Sequence, residues 1–356
     1  MKVLFSGGGT GGSVTPLIAV ADEIRMEYPD AEFLFLGTKN GLEIDLVLEG
    51  QIKFHAISSG KLRRYWSWSN ITDIFNIFIG FFQALVRINK FKPDVVYSAG
   101  GYVGVPVVWA AWLSGVPTLI HQQDVELSLA NRLVQGIASK ITVTFESSLK
   151  DFPSRKTVWV GNPIRKELLA GDRERGYKLF NLVPSLPTIL VFGGGTGAQK
   201  INELMVGAIF KLTKQCQILH LFGRRKVLYK INDPNYHGYE FLVEEMKDAY
   251  AVADIVVCRA GIGSLTEIAA LEKPSIVIPM PDTHQEKNGA FLKRFNAAVV
   301  LDQKSIDSDF LVNVILGFLA NIDWQSVLKK NIKKIAKLDA REQLTAQLIS
   351  LIKKSS

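Results

Sequence analysis

Three glycine-rich segments hold the residue types best suited to chemistry. The first, Gly7-Gly8-Gly9-Thr10-Gly11-Gly12-Ser13, follows the apolar run KVLFS and opens a segment that reads as a helix. Backbone N–H groups at such a helix start can bind a phosphate. The loop lacks the Lys-Ser/Thr ending of a Walker sequence and the dinucleotide spacing, and LGTKNGLE puts no acid cleanly at the end of the second strand for a dinucleotide ribose. Gly193-Gly194-Gly195-Thr196-Gly197-Ala198 repeats the same logic after LPTILVF. Two such loops facing each other can hold a diphosphate from both sides without a metal. The third segment runs from Arg259-Ala260-Gly261 through Ile262, Gly263, Ser264, Leu265 and Thr266 to Glu267. A helix starting around Ser264 would offer its amides to a phosphate. Glu267, one turn in, can accept from the vicinal hydroxyls of a sugar. Ser264 and Glu267 also match a capping box, and both readings stand together.

Two polar runs sit where strands should end. Asp282-Thr283-His284-Gln285-Glu286-Lys287-Asn288-Gly289 follows PSIVIPM, and His121-Gln122-Gln123-Asp124 follows PTLI. Carboxamides both donate and accept, which suits hydroxyl recognition. In open parallel sheets ligands bind at the carboxyl ends of strands. Asp307-Ser308-Asp309 looks like a metal-binding DxD, but it precedes an apolar helix and reads better as an N-cap.

The elements that must position these groups alternate strand and helix throughout. The Val/Ile/Leu runs are continuous rather than alternating, as in parallel strands buried on both faces. Predicted strands are KVLFS, AEFLFLG, KPDVVYS, VPTLIHQQD, SKITVTF and KTVWV, then LPTILVF, QILHLFG, YEFLVEE, ADIVVC, PSIVIPMP and AAVVLD. With 356 residues the chain is long enough for two domains. The strand–GGGTG–helix pattern restarts about 185 positions on, which argues for two Rossmann-like α/β domains facing across a cleft. The first is expected over 1–161 and the second over 162–338, with the turn signal VGNPIR between them and a helix over about 339–354 crossing back to the first.

Composition narrows the class. Cys216 and Cys258 lie far apart in apolar runs, which excludes a disulfide framework. The opening residues are not expected to act as a signal peptide, because glycine breaks their apolar run after one strand length. No uncharged apolar stretch reaches 18 residues, so no segment is expected to span a membrane. The formal charge of +8 calls for an acidic partner: nucleic acid, anionic lipid or a phosphorylated substrate. Six basic residues and one acid lie between Gly60 and Lys92. There Arg63, Arg64, Tyr65, Trp66 and Trp68 precede a helix carrying Ile74, Phe75, Phe78, Phe82 and Leu85. A basic, aromatic-flanked helix lying in a bilayer interface fits this pattern, and a core helix is the alternative. Asp73, Asn76, Gln83 and Arg87 argue against spanning. The run Lys329–Lys337 reads as the solvated face of a helix.

Together and in this order, GGGTGGSVTP, KPDVVYSAGGYVGVP, HQQD, VGNPIR, GGGTGA, AYAVADIVVCRAG, LTEIAA and HQEKNGA resemble the MurG family of bacterial glycosyltransferases. The resemblance runs through nearly the whole chain. It implies the two-domain GT-B fold and transfer of N-acetylglucosamine from UDP-N-acetylglucosamine, with inversion, to the 4-hydroxyl of the muramyl sugar of undecaprenyl-diphospho-muramoylpentapeptide. It implies no protein-bound metal or other cofactor, no nucleic acid, and a peripheral place at an anionic membrane, on its cytoplasmic face. Carried onto this chain, it implies donor contacts from Thr10, Gly11, Gly12, Asp124, Arg165, Gly195, Val243 (backbone to uracil), Ile262 to Thr266, Glu267 (ribose), Gln285 (donor sugar) and Asn288. Gly9 to Ser13 with Gly100, Gly101 and Tyr102 would face the acceptor diphosphate. Arg63, Arg64, Trp66, Trp68, Phe75, Phe78 and Phe82 would touch the membrane.

The departures from that pattern bear on the base. Ser13 replaces the family's histidine, and HEQN has become His121-Gln122-Gln123-Asp124. GGSQGA has become GGGTGA. Serine is no general base unaided, which leaves Asp124 or His121. The same changes leave two other readings: a GT-B enzyme with another lipid acceptor such as a diacylglycerol, or a non-catalytic nucleotide-sugar-binding or membrane-binding homologue.

Overall fold

The computed structural model describes every residue except 9–10, 42, 61–68, 195–196, 224–230 and 353–356, and the side chains of 69–71 are likewise left aside. It divides into two compact units, Met1–Ile164 with Lys337–Ser356, and Arg165–Ala336.

The first unit is built on seven parallel strands: β1 (Lys2–Ser6), β2 (Glu32–Gly37), β3 (Lys53–Ala56), β4 (Val95–Ser98), β5 (Thr118–Gln122), β6 (Lys140–Val143) and β7 (Thr157–Trp159). Their order is β3-β2-β1-β4-β5-β6-β7, with Ser6 beside Ser98 in register. The interleaved helices are α1 (Thr15–Glu27), α2 (Glu43–Glu49), α3 (Ser69–Phe91), α4 (Gly104–Leu113) and α5 (Leu129–Val134). Strand order reverses between β1 and β4, so the chain leaves those two strands in opposite directions. The crevice this opens is the standard ligand position of open α/β sheets.

The second unit repeats the plan with six parallel strands. After α6 (Arg173–Leu179) come β8 (Thr188–Phe192), α7 (Gln199–Leu212), β9 (Gln217–Leu221), β10 (Tyr236–Tyr239), α8 (Met246–Val252) and β11 (Ile255–Cys258). Then follow α9 (Ile262–Ala270), β12 (Ser275–Val277), α10 (Gln285–Arg294), β13 (Val299–Val300), α11 (Ser308–Ala320) and α12 (Ile322–Lys333). The order is β10-β9-β8-β11-β12-β13, and the reversal falls between β8 and β11. Most of the apolar runs that read as strands are buried, β7 and β13 only in part, with β8 and β11 covered on both faces by two apolar clusters. Cys216 and Cys258 belong to those clusters as free thiols, and burial pushes both up to about 12.

Three elements differ from expectation. The strand predicted over YEFLVEE lies upstream, at Tyr236–Tyr239; Leu242 turns into the core instead, from a loop. α9 begins at Ile262, because extended Gly261 caps it. α12 ends at Lys333, and Lys337 belongs to the first unit, its ammonium 3.8 Å from the Trp159 ring. The first unit also runs on to Ile164 before the second begins.

The chain returns to the first unit through α13 (Ala340–Ile352). Leu344, Leu348 and Leu351 join Val3, Phe5, Leu17 and Ile24 in one cluster, and Arg341 pairs with Glu23 at 2.6 Å. Each fully buried leucine contributes about 1.5–3 kcal/mol.

Candidate functional site

Each sheet reversal sets side by side two strands that lead into glycine turns. In the first unit, β1 ends at Ser6 and β4 at Ser98, and the Ala99 amide donates to the Ser6 carbonyl at 3.2 Å. Gly101 has φ +79°, and a Cβ there would stand 2.5 Å from the Gly8 carbonyl oxygen. Glycine is therefore required twice over, for conformation and for close approach. Gly8, Gly100, Gly101 and Tyr102 thus adjoin, with Gly12 and the buried Ser13 opening the way to α1. Gly9 and Thr10 lie outside the described residues.

In the second unit the counterpart is the pair of turns after β8 and β11. Gly197 has φ +67°, and a Cβ there would meet the Phe222 carbonyl. Asn202 ties down that carbonyl through Nδ2 at 2.9 Å, and its Oδ1 accepts from His220 Nε2 at 3.1 Å. His220 Nδ1 faces the Tyr236 hydroxyl at 3.0 Å. Gly195 and Thr196 lie outside the described residues.

The helices that begin at the two reversals share a feature. α1, α4, α7 and α9 start at Val14, Val103, Ala198 and Gly261, none of which caps with a side chain. α8 and α10 also lack a side-chain cap, whereas α5, α6, α11 and α12 are closed by Ser128, Asp172, Asp307 and Asn321. First-turn amides without a side-chain acceptor keep their positive potential for an anion. Ser264 is therefore in the first turn of α9 rather than its cap, and no capping box with Glu267 forms. Asp307 accepts from the Phe310 amide at 2.8 Å while Asp309 pairs with Lys211, so Asp307-Ser308-Asp309 closes a helix. Among the described residues no three His, Cys, Asp or Glu side chains converge as metal ligands.

Glu267 stands one turn into α9 and accepts from the Tyr250 hydroxyl at 3.0 Å. Desolvation pushes its carboxyl up, while the Arg165 charge and the Tyr250 hydrogen bond pull it down. Arg165 Nε is buried with no partner among the described residues. A carboxylate, a cation and a phenol thus gather beside the open start of α9. Ile262, Leu265 and Thr266 are buried, and Thr266 Oγ1 donates back to the Ile262 carbonyl at 2.9 Å. Their part is the helix backbone, with Gly263 and Ser264 at its half-open face. Gln285 heads α10, and its Oε1 accepts from the Met280 amide at 3.1 Å. Asn288 is buried and donates to the Ala260 carbonyl at 3.0 Å, which ties α10 to the turn before α9. Val243 lies in the loop after β10, its amide 3.4 Å from Glu245.

The two proposed bases part company. His121 is fully buried, with Nδ1 3.0 Å from Thr142 Oγ1 and Nε2 3.3 Å from both Asn162 Oδ1 and Thr144 Oγ1. Burial lowers its pKa to about 4. Such a ring is a post within the sheet and cannot meet an incoming hydroxyl, which corrects its candidacy. Asp124 is half-exposed just past β5. Gln122 shapes that loop, donating to the Asp124 and Glu126 carbonyls at 2.9 and 2.7 Å. Sequence reasoning missed Tyr250, Asn202 and Glu43. The Glu43 carboxylate turns inward onto the Thr38 amide at 2.9 Å and the Thr38 hydroxyl, which explains why LGTKNGLE offers no ribose ligand.

α3 has a second exposed character. Ile77, Ala84 and Ile88 face the core, whereas Ile74, Phe75, Phe78, Ile79, Phe82 and Val86 are each 46–66% exposed. Such a stripe exceeds the scattered apolar exposure of an ordinary surface. Thr72–Phe91 is long and apolar enough to cross a membrane by length and composition, contrary to expectation. Its packing on α4 and the core cluster holds it to the first unit instead. Arg63, Arg64, Trp66 and Trp68 lie outside the described residues.

Comparison with known proteins agrees with this arrangement. Residues 3–143 match the glycosyltransferase family 28 N-terminal domain, and residues 188–344 its C-terminal domain. A Bacillus cereus protein named UDP-N-acetylglucosamine–N-acetylmuramyl-(pentapeptide) pyrophosphoryl-undecaprenol N-acetylglucosamine transferase 2 is 37% identical, over 92% of this chain and 95% of its own. A Thermoanaerobacter transferase named for the same reaction is 38% identical, over 97% of this chain and 98% of its own. The crystal structure of Acinetobacter baumannii MurG superposes with a TM-score of 0.73 at 25% identity, covering 98% of this chain and 99% of that one. Two parallel sheets with ligand-ready reversals, joined to end-to-end likeness of this degree, place the chain in glycosyltransferase family 28, among the MurG N-acetylglucosamine transferases.

Proposed function

We propose that the chain moves N-acetylglucosamine from UDP-N-acetylglucosamine to the 4-hydroxyl of the muramyl sugar of undecaprenyl-diphospho-muramoylpentapeptide, with inversion, in the making of peptidoglycan precursor. The observation that carries this reading is the second unit's reversal. There the open starts of α7 and α9 adjoin Glu267, Tyr250 and Arg165. That set suits a nucleoside diphosphate: amides for the phosphates and a carboxylate for the ribose hydroxyls. The Val243 backbone reads the uracil and Gln285 the donor sugar, with Asn288 holding α10 in place.

In the reaction, the acceptor 4-oxygen bonds to the anomeric carbon as the bond to the UDP oxygen breaks. The proton passes to Asp124. Charge growing on UDP meets the amides and Arg165, a preorganised positive field that needs no resident metal. The first reversal, from Gly8 to Ser13 with Gly100, Gly101 and Tyr102, faces the acceptor diphosphate. The α3 stripe and the basic segment before it rest on the anionic inner face of the membrane, where the acceptor's lipid stays. The deciding experiment is transfer of labelled N-acetylglucosamine to a short-chain analogue of the muramyl lipid. Labelled disaccharide-lipid is the expected product. Label on a diacylglycerol instead, or on neither, overturns the reading.

A further inference from the structure

The first unit holds a cavity of about 450 Å³, of whose lining only Tyr102 has a role above. Lys39, Asn40, Ser58, Ser59, Asn76 and Tyr102 line it, at the carboxyl ends of β2 and β3 and against α3. Its walls are held. The Ser58 amide donates to Gln83 Oε1 of α3 at 2.7 Å, and Gly80 lets the helix close onto the Ser58 carbonyl. Behind Gly41, another lining residue, sits the buried Glu43 carboxylate, whose Oε2 has no partner among the described residues. The same carboxylate abuts Gly8, so the cavity adjoins the first glycine loop.

We propose that this cavity is the subsite for the peptide stem of the acceptor, taking a short peptide through its amides and a carboxylate. The inference rests on the acceptor named above. A peptide borne on the muramyl sugar beside the reacting hydroxyl must leave over the unit that holds the acceptor, and this cavity is next to that unit's glycine turns. Its chemistry fits. Two carboxamides, two serine hydroxyls and a phenol offer donors and acceptors to backbone amides. Ile57 and the Tyr102 ring give an apolar wall for small side chains, and exposed Lys39 meets a carboxylate. The volume lies within the roughly 300–1,000 Å³ typical of ligand pockets.

The test compares two acceptors, one carrying the full pentapeptide and one carrying none, with the parent, Lys39→Ala and Ser59→Trp. Both variants should raise KM for the peptide-bearing acceptor about tenfold or more, as loss of a charge-assisted hydrogen bond or of the space itself would. Their kcat/KM with the peptide-free acceptor should equal the parent's. Equal losses on both acceptors, or no loss, overturn the proposal. Lost binding to phosphatidylglycerol vesicles with unchanged acceptor preference also overturns it and gives the cavity to a lipid headgroup. If the parent transfers to neither acceptor, the proposed activity fails, and titration with soluble muramoylpentapeptide judges the subsite alone. Saturable binding that Ser59→Trp removes sustains it; no saturable binding overturns it.

Discussion

Glu267 owes its use to its neighbours. Tyr250 orients one carboxylate oxygen, and Arg165 offsets part of the desolvation that raises the carboxyl's pKa. Glu267→Ala should weaken UDP-N-acetylglucosamine binding by about tenfold to 150-fold, the value of one charge-assisted hydrogen bond of about 1.5–3 kcal/mol. Unchanged affinity by calorimetry would remove it from the site. Asp124→Asn restores the family's usual residue while deleting the carboxylate. If Asp124 takes the proton, turnover falls by about 10²–10⁴ with donor affinity held. Turnover equal to the parent's would reject that role. The buried imidazoles act on stability instead. His121 and His220 are each depressed to about 4 from 6.5. Between those values the unfolded chain binds more protons, so stability rises with pH, is complete above about 6.5 and drains as pH falls toward 4. One pKa unit corresponds to about 1.4 kcal/mol, so the two together amount to several. Denaturant titrations at pH 7 and pH 5 should show that fall, and His121→Gln should shrink it.

Among the described residues, α3 presents an outer face of exposed apolar side chains. Phe75, Phe78 and Phe82 are 66, 56 and 61% exposed. Changing Phe78 and Phe82 to Gln should cut binding to phosphatidylglycerol vesicles by about a hundredfold or more, at about 1.5–3 kcal/mol per ring. The part lost should resist salt, and UDP affinity should not move. Cosedimentation equal to the parent's would mean that the stripe is plain surface. The buried strands were legible because a parallel sheet covered on both faces leaves continuous Val, Ile and Leu runs, as in β8 and β11. β3 was not, since KFHA pairs on one side only and is largely exposed. β10 was misplaced for the related reason that a short edge strand, YHGY, has fewer apolar residues than the loop after it. The glycine turns announced themselves by composition. The state of His121 did not: HQQD reads as a polar strand end, yet His121 and Gln122 are still inside β5, covered by Thr142 and Asn131.

At the scale of the whole molecule, the return of α13 makes the second unit an insertion within the first. A chain ending at Ala336 loses Leu344, Leu348 and Leu351 from the first unit's core and leaves Glu23 without Arg341. That truncation should abolish the cooperative melting of the first unit while UDP binding by the second persists. Melting and binding both unchanged would show that α13 is dispensable.

α13 also sets a clock on the ribosome. Domains ordinarily close in the order in which they are made, at about 5–20 residues per second. Here Met1–Ile164 emerges first, but the cluster that α13 completes stays open until that helix leaves the ribosome, after all of Arg165–Ala336. That wait lasts roughly 10–35 seconds at those speeds. Through it the nascent first unit presents Val3, Phe5, Leu17 and Ile24, on the face of the sheet opposite the already apolar α3. The later-made unit is therefore the first able to finish, and the earlier one is the natural client of holding chaperones.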